Sequence, residues 1–308
     1  MNPSMKPTLQ ESMKLLGEMT LLNRFLFSEV MSDPEVYTAT LQIILGEDKL
    51  KLLSGSQTEK EIKTAPWLRS IRLDVYSVDE HGTVYDTEVQ AKKTNDLRKR
   101  SRYYQSLIDS TLLSPGTRNF NRLNDVCVIM IMPFDLFGLD KYYYTFVPCC
   151  KEDKSLELKD GAVRIFLNTR GKNDDEITPE LKEFLRYVES ADDEFVEKSS
   201  SDRLKKIHAC VNRIKSSEEV GVKFMQKWLD QIDFFEDGWE QGLEKGMEEG
   251  LAQGLEKGLE KGLEKGRLEN TLSTLHKLMQ KQHMTLNEAL DFLEIPEAER
   301  HTYKEMLN

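Results

Sequence analysis

The chain has 308 residues, enough for one large domain or two smaller ones with an extensive hydrophobic core. Its 43 basic and 54 acidic residues give a net charge of −11, which argues against a histone-like protein or a polybasic membrane-surface protein. No apolar run approaches the roughly 18 to 20 residues of a membrane span, and the start lacks the apolar core of a secretory signal. The four cysteines form no CxxC pair. We therefore expect a protein of the reducing cytoplasm, without a disulfide framework or a zinc site.

The chain before residue 235 shows a mixture of helical and strand patterns. Residues 20–46 have helical spacing, with a break and a new helix start at Asp33-Pro34. Residues 70–78 and 83–91 alternate in polarity on either side of a turn signal, which predicts a β-hairpin. The other elements predicted in this part are a helix over 96–114, a buried strand over 125–132, strands over 142–147 and 162–167, and helices from residue 178 onward.

A repeat with glycine at every fourth residue separates this part from the end of the chain. Eight glycines recur from Gly238 to Gly266, and leucine or methionine follows most of them. Because each glycine costs a helix about 1 kcal/mol relative to alanine, two interpretations stay open. The repeat is either a partly helical linker or a face on which a second copy packs closely. In the second case the four-residue period predicts a right-handed supercoil.

These patterns predict three segments. They are residues 1–235, the repeat over 236–268, and a small helical unit over 269–308 in which Thr285 and Glu288 form a capping box. The 16 acidic and 9 basic residues from Glu236 onward give that part a net charge of −7. The acidity is thus concentrated in the tail, and the total charge does not exclude nucleic acid as a partner of the first segment.

The predicted hairpin contains the residues best suited to chemistry. Side chains two apart on a strand share a face, so Glu88, Gln90 and Lys92 project to one side. If Asp74 lies opposite Glu88, two carboxylates and the backbone carbonyl of Val89 form an oxygen-only site suited to Mg²⁺. Such an ion can activate a water and stabilise charge on a phosphoryl group.

Four blocks of this sequence resemble, in order, the motifs of one bacterial family. They are Arg72-Leu73-Asp74-Val75, Tyr85-Asp86-Thr87-Glu88-Val89-Gln90, Arg100-Ser101-Arg102-Tyr103-Tyr104-Gln105 and Pro133-Phe134-Asp135-Leu136-Phe137-Gly138. Asp74, followed after thirteen residues by Glu88-Val89-Gln90, resembles the D…(D/E)-x-K signature of the PD-(D/E)XK nuclease superfamily. The ordered set resembles its recombination-promoting nuclease and transposase family, over residues 20–235.

The resemblance implies a fold, an activity and a set of roles. The fold is an α/β restriction-endonuclease-like core, with a mixed central sheet flanked by helices, and a helical C-terminal extension. Asp74 and Glu88 would be metal ligands, and Gln90 would stand where the superfamily has lysine. A neutral amide can orient a water but cannot accept its proton, and Lys92 is the candidate for the missing charge. The cofactor implied is Mg²⁺, with Mn²⁺ or Ca²⁺ as substitutes.

A basic helix follows the hairpin and is the candidate DNA-binding element. Six basic residues and one acid lie between Lys92 and Arg102, giving a local charge of about +5 that can dock a phosphate backbone. Arg98, Arg102 and Gln105 are spaced to share one helix face. The candidate DNA-binding residues are Lys93, Arg98, Arg100, Arg102 and Gln105.

Two functions remain as hypotheses from the sequence. The first is a metal-dependent DNA endonuclease that hydrolyses phosphodiester bonds in recombination or transposition. The second is a catalytically degenerate accessory protein of a mobile element, which binds DNA or self-associates through the repeat. Retention of both carboxylates favours the first hypothesis, and Gln90 keeps the second open.

Overall fold

The computed structural model describes residues 8–53, 55–63 and 70–307, with the backbone only at residues 235 and 236. These residues form two compact units, one up to Leu229 and one from Asp230 onward. The strands are β1 (Gln57–Ile62), β2 (Ile71–Val78), β3 (Val84–Val89), β4 (Val126–Met132), β5 (Tyr143–Phe146) and β6 (Ala162–Asn168). The helices are α1 (Leu9–Glu18), α2 (Arg24–Met31), α3 (Pro34–Leu45), α4 (Leu97–Leu112), α5 (Pro179–Ser190), α6 (Asp193–Glu197), α7 (Asp202–Lys215), α8 (Glu218–Gln282), α9 (Leu286–Phe292) and α10 (Glu297–Leu307).

The first unit is built on one mixed sheet with the strand order β1-β2-β3-β4-β6-β5. Strands β3, β4 and β6 are parallel, and the other neighbouring pairs are antiparallel. Strand β4 lies between two parallel neighbours and is buried along its whole length, as its continuous apolar run predicts. Helix α4 makes the crossover from β3 to β4. The predicted α/β class and the predicted hairpin are therefore confirmed.

The sheet buries both of its faces. Cys127, Ile129 and Ile131 of β4 belong to a core cluster shared with α2, α3, α5 and α7. The alternate residues Val126 and Val128 belong to a second cluster, which contains residues of α4. The sheet is therefore a middle layer, and the polar side chains at its centre, on β3 and the adjoining part of β2, are shielded from water.

Local sequence signals explain where several elements begin and turn. Asp33 caps α3, because its carboxylate accepts hydrogen bonds from the backbone N–H groups of Glu35 and Val36. The hairpin between β2 and β3 turns at Gly82, where φ is 88°, a conformation that glycine adopts without strain. Helix α1 and the polar edge strand β1 are elements that the sequence patterns did not predict.

The second unit contains most of α8, followed by α9 and α10. Leu275, Ala289, Leu290 and Tyr303 form its core. The predicted capping box is confirmed, because Thr285 accepts from the N–H of Glu288 and the Glu288 side chain accepts from that of Thr285. No helix in the described part of the chain has the length and apolarity needed to cross a membrane.

Helix α8 continues through the whole glycine repeat. The leucines and the methionine that follow the glycines are between 56% and 75% exposed from Leu243 to Leu263. A Cβ added at any glycine from Gly238 to Gly266 would meet nothing within 4 Å. The repeat is thus helical throughout, and among the residues that the structure describes nothing covers its apolar side chains.

Candidate active site

Asp74 and Glu88 meet across the β2–β3 hairpin. The antiparallel register pairs Val75 with Thr87, so the next position along places Asp74 opposite Glu88. The backbone N–H of Asp74 donates to Oε1 of Glu88 at 2.8 Å, and the N–H of Val89 donates to Oδ2 of Asp74 at 3.2 Å. Each carboxylate is therefore held by the backbone of the opposite strand, and the structure brings Asp74 and Glu88 together.

The regular alternation of β2 is interrupted at Asp74. Strand geometry alone would place Leu73 and Val75 on the same face, yet they belong to the two core clusters on opposite faces of the sheet. Glu59, between the β1 residues that pair with Leu73 and Val75, has φ of 52°, which is unusual for a residue other than glycine. This irregularity accompanies the approach of Arg24, from the start of α2, to the Asp74 carboxylate.

Arg24 is the counter-ion of Asp74. Its Nε forms an ion pair with Oδ1 of Asp74, and its Nη2 donates to the backbone carbonyl of Arg72 at 2.7 Å. The Arg24 side chain is 46% exposed, whereas that of Asp74 is 1% exposed. One end of the guanidinium thus reaches water while the other neutralises a buried carboxylate.

Burial dominates the protonation of the carboxyl pair. It raises the pKa of Asp74 above its ordinary value, and the charge of Arg24 acts in the opposite direction. Burial and then the charge of Asp74 raise the pKa of Glu88 to about 8. Burial therefore favours the protonated form of both carboxyls, and an added cation would act in the opposite direction.

A third carboxyl, Asp86, lies on the same strand face two residues before Glu88. It is fully buried, and neither of its oxygens has a hydrogen-bond partner among the described residues. Burial, followed by the charges of Glu88 and Asp74, raises its pKa well above the ordinary value. Its spacing from Glu88 was the sequence signal that could have identified it, because residues two apart share a face.

The position of Gln90 is fixed at both ends of its amide. Its Oε1 accepts a hydrogen bond from Nη2 of Arg100, and its Nε2 donates to the backbone carbonyl of Lys92 at 2.6 Å. Strand β3 ends at Val89, so strand alternation does not carry Lys92 onto the face of Glu88. Lys92 is exposed, and the cation that contacts Gln90 is Arg100.

A basic cavity of about 460 Å³ opens beside this hairpin. Four cations from α2, β2 and α4 line it, together with one acid and two tyrosines. The lining residues are Arg24, Ser70, Ile71, Arg72, Asp96, Lys99, Arg100, Tyr103 and Tyr104. Arg24 and Arg100 join the cavity to Asp74 and Gln90, so a negatively charged group in the cavity would lie next to the carboxylates.

The structure distributes the other predicted DNA-binding residues differently. Lys93 Nζ donates to the carbonyl of Asp135 at 3.1 Å, and Arg98 Nη2 donates to that of Leu136 at 2.7 Å. These contacts fix the side chains without neutralising their charges. Arg102 is exposed, but Gln105 is only 6% exposed and faces the protein interior. Arg102 is therefore available at the surface for DNA binding, and Gln105 is not.

A comparison with protein families matches residues 24–232 to the PD-(D/E)XK nuclease family transposase. The chain belongs to this family. The match runs from the first residue of α2 into α8, and it contains the whole sheet and the Asp74–Glu88 pair. Membership implies a nuclease-type enzyme with DNA as its substrate. Neither the curated proteins nor the solved structures contain a match to the chain.

PD-(D/E)XK nucleases generally use divalent metals, which require several oxygen ligands close together. Among the described residues no three or more His, Cys, Asp or Glu side chains converge as a ready-made cluster of ligands. The hairpin supplies two carboxylates, and the adjacent Asp86 has two buried oxygens without partners. An all-oxygen donor set with raised pKa values fits a hard divalent cation, which would replace a proton and the Arg24 charge.

Proposed function

We propose that this protein is a metal-dependent endodeoxyribonuclease that hydrolyses phosphodiester bonds during DNA recombination or transposition. The observation that carries the proposal is the buried Asp74–Glu88 pair beside a cavity lined by four cations. A divalent-metal nuclease requires both features, one to hold the ion and one to hold the phosphate.

Asp74, Glu88 and the backbone carbonyl of Val89 would hold the ion, with Mg²⁺ the natural choice and Mn²⁺ or Ca²⁺ as substitutes. When bound, the ion would neutralise developing phosphate charge and increase the acidity of water. Gln90 would position the attacking water with an amide that Arg100 and the Lys92 carbonyl already hold in place. Because this amide cannot accept a proton, solvent or a phosphate oxygen is the required acceptor.

The basic cavity would bind the phosphate backbone of DNA. Arg72 and Lys99 are exposed at its mouth, and Arg24 and Arg100 lie closer to the carboxylates. Arg24 is suited to two partners, since it pairs with Asp74 in this structure and its side chain is half exposed. It would move from the carboxylate to the phosphate when the metal takes its place. The compartment we propose is the cytoplasm, which fits the four free cysteines.

We also propose that the glycine repeat mediates self-association. A helix carrying eight glycines loses roughly 8 kcal/mol relative to one with alanines, and its exposed leucines gain nothing while they remain in water. Packing against a second copy would bury these leucines and bring the backbones close at the glycines. The linker interpretation is less favoured, because the helix α8 is continuous through the repeat.

One assay distinguishes the nuclease from the alternative, a catalytically degenerate DNA-binding accessory protein. Supercoiled plasmid is incubated with the full chain and Mg²⁺, Mn²⁺ or Ca²⁺, and nicked and linear products are quantified. We expect cleavage by the wild type with at least one metal, and none by Asp74→Asn or Glu88→Gln, both of which keep side-chain size. Equal cleavage by all three proteins would reject the nuclease. DNA binding without cleavage, weakened by Arg72→Met and Lys99→Met, would support the alternative.

A further inference from the structure

A second, smaller cavity lies on the other flank of α4. It has a volume of about 200 Å³ and is lined by Arg98, Ser101, Phe137, Phe146, Arg164 and Phe166. Arg98 and Ser101 lie on this flank, whereas Lys99, Arg100 and Tyr103 line the basic cavity. The two cavities thus lie on different flanks of the same helix.

The lining of this cavity consists of aromatic rings and guanidinium groups. The rings of Phe137, Phe146 and Phe166 lie in mutual contact, with centroid distances of 4.7, 5.2 and 5.6 Å. The guanidinium of Arg98 lies 5.1 Å from the centre of the Phe137 ring. No acidic side chain lines the cavity in the part of the chain that the structure describes. The surroundings therefore favour a group that is both planar and electron-rich or anionic.

Arg164 has a buried polar group that packing of the cavity wall alone does not satisfy. Its Nε is buried and has no hydrogen-bond partner among the described residues. A buried N–H of this kind costs free energy unless an acceptor reaches it. The carbonyl and ring nitrogen atoms of a nucleobase are such acceptors, and they lie in the plane of a ring that can stack on phenylalanine.

We propose that this cavity binds one unstacked base of a single-stranded DNA segment, whose phosphates continue around α4 into the basic cavity. This inference rests on the proposed function, because it requires DNA to bind along α4. Phe146, which is 40% exposed, forms the outer wall on which the base stacks, and Arg164 donates to the base edge. A cavity of this size accommodates a single ring system and excludes a base pair, so duplex must open locally to use it.

The test measures binding of the full chain to fluorescent oligonucleotides by anisotropy, in EDTA so that no cleavage occurs. One probe is a twelve-residue single strand, and the other has the same sugar–phosphate backbone without bases. We expect the wild type to bind the base-containing strand about tenfold more tightly than the backbone, as base–aromatic stacking predicts. Phe146→Ala and Phe146→Leu should lose this preference while they bind the base-free strand like the wild type.

Phe120→Ala is the matched control, because Phe120 is an exposed phenylalanine of the same unit and does not line the cavity. It should keep the wild-type preference, and circular dichroism should show that all variants are folded. Equal binding of both probes by the wild type, or an unchanged preference in Phe146→Ala, would overturn the inference and leave the nuclease proposal standing. Failure of the wild type to bind either probe would also overturn the inference, whereas the nuclease proposal is tested separately by plasmid cleavage in the presence of metal.

Discussion

The substitution Glu88→Gln should stabilise the metal-free protein, and the gain in stability should grow as the pH rises. Glu88 is 3% exposed, and its pKa is raised from 4.5 to about 8 by burial and by the charge of Asp74. The folded state therefore keeps a proton that the unfolded chain releases above pH 4.5. A proton bound more tightly in the folded state stabilises the protein fully at low pH, and this contribution is lost as the pH rises toward 8.

The magnitude follows from the slope of linkage. One proton of difference changes the free energy of unfolding by about 1.4 kcal/mol per pH unit. Between the ordinary pKa of 4.5 and the folded value of about 8, the accumulated loss is on the order of 5 kcal/mol. Because Asp74 and Asp86 also have raised pKa values from burial and from neighbouring charges, the wild type should be at least this sensitive to pH. Glu88→Gln removes one proton from the difference in bound protons between the folded and the unfolded state.

The assay is urea unfolding in EDTA, followed by circular dichroism at intervals between pH 5 and pH 8.5. The stability of the wild type should fall with pH, and that of Glu88→Gln should fall less steeply. Glu61→Gln is the control, because Glu61 is an exposed glutamate on β1 of the same sheet. A wild-type stability that is constant or rises over this range would refute the reasoning, as would parallel curves for the wild type and Glu88→Gln.

Two further predictions concern Arg24 and the glycine repeat. Arg24→Met should destabilise the metal-free protein by on the order of 1 to 2 kcal/mol, because a buried carboxylate loses its half-exposed partner. Mn²⁺ should raise the melting temperature of this variant more than that of the wild type, and an equal shift would contradict competition between Arg24 and the metal. Gly250→Ala and Gly258→Ala should each stabilise α8 by about 1 kcal/mol, since no atom obstructs the added methyl group. Both substitutions should weaken self-association, because the added methyl groups would hinder close contact between the backbones of two copies. Light scattering measures this as a lower molar mass than that of the wild type, and an equal molar mass would reject the role of the glycines.

The sequence predicted those elements whose signals are local. The hairpin, the apolar strand β4 and the Thr285 capping box depend on alternation, a continuous apolar run and a fixed spacing, all of which the chain displays directly. The edge strand β1 has the polar sequence Gln57–Ile62 and lacks such a pattern. Helix α1, by contrast, begins with a capping box at Thr8. This signal is local, so the sequence could have predicted the helix.

The candidate site could be predicted only in part, for a different reason. Asp74 and Glu88 were accessible through their motif and their position in a hairpin. Arg24 is fifty residues away from Asp74 in the chain, and no spacing rule connects a helix start with a strand interior. Gln105 was expected on the surface with Arg98, yet α4 packs on the sheet over a wide face that includes Gln105.

The contacts around Asp74 also indicate which interactions a bound metal ion would have to replace. In the metal-free protein two features limit the negative charge of the buried carboxyls: burial and neighbouring charges raise the pKa of Glu88 and of Asp86, and the guanidinium of Arg24 pairs with Asp74. A divalent cation bound as we propose would replace the protons and Arg24, so its binding would release protons and free Arg24. Metal affinity should therefore increase as the pH rises through about 8, the range over which Glu88 loses its proton. Isothermal titration in buffers of different ionisation enthalpy would measure the proton release directly, and binding without it would show that the ion does not use Glu88.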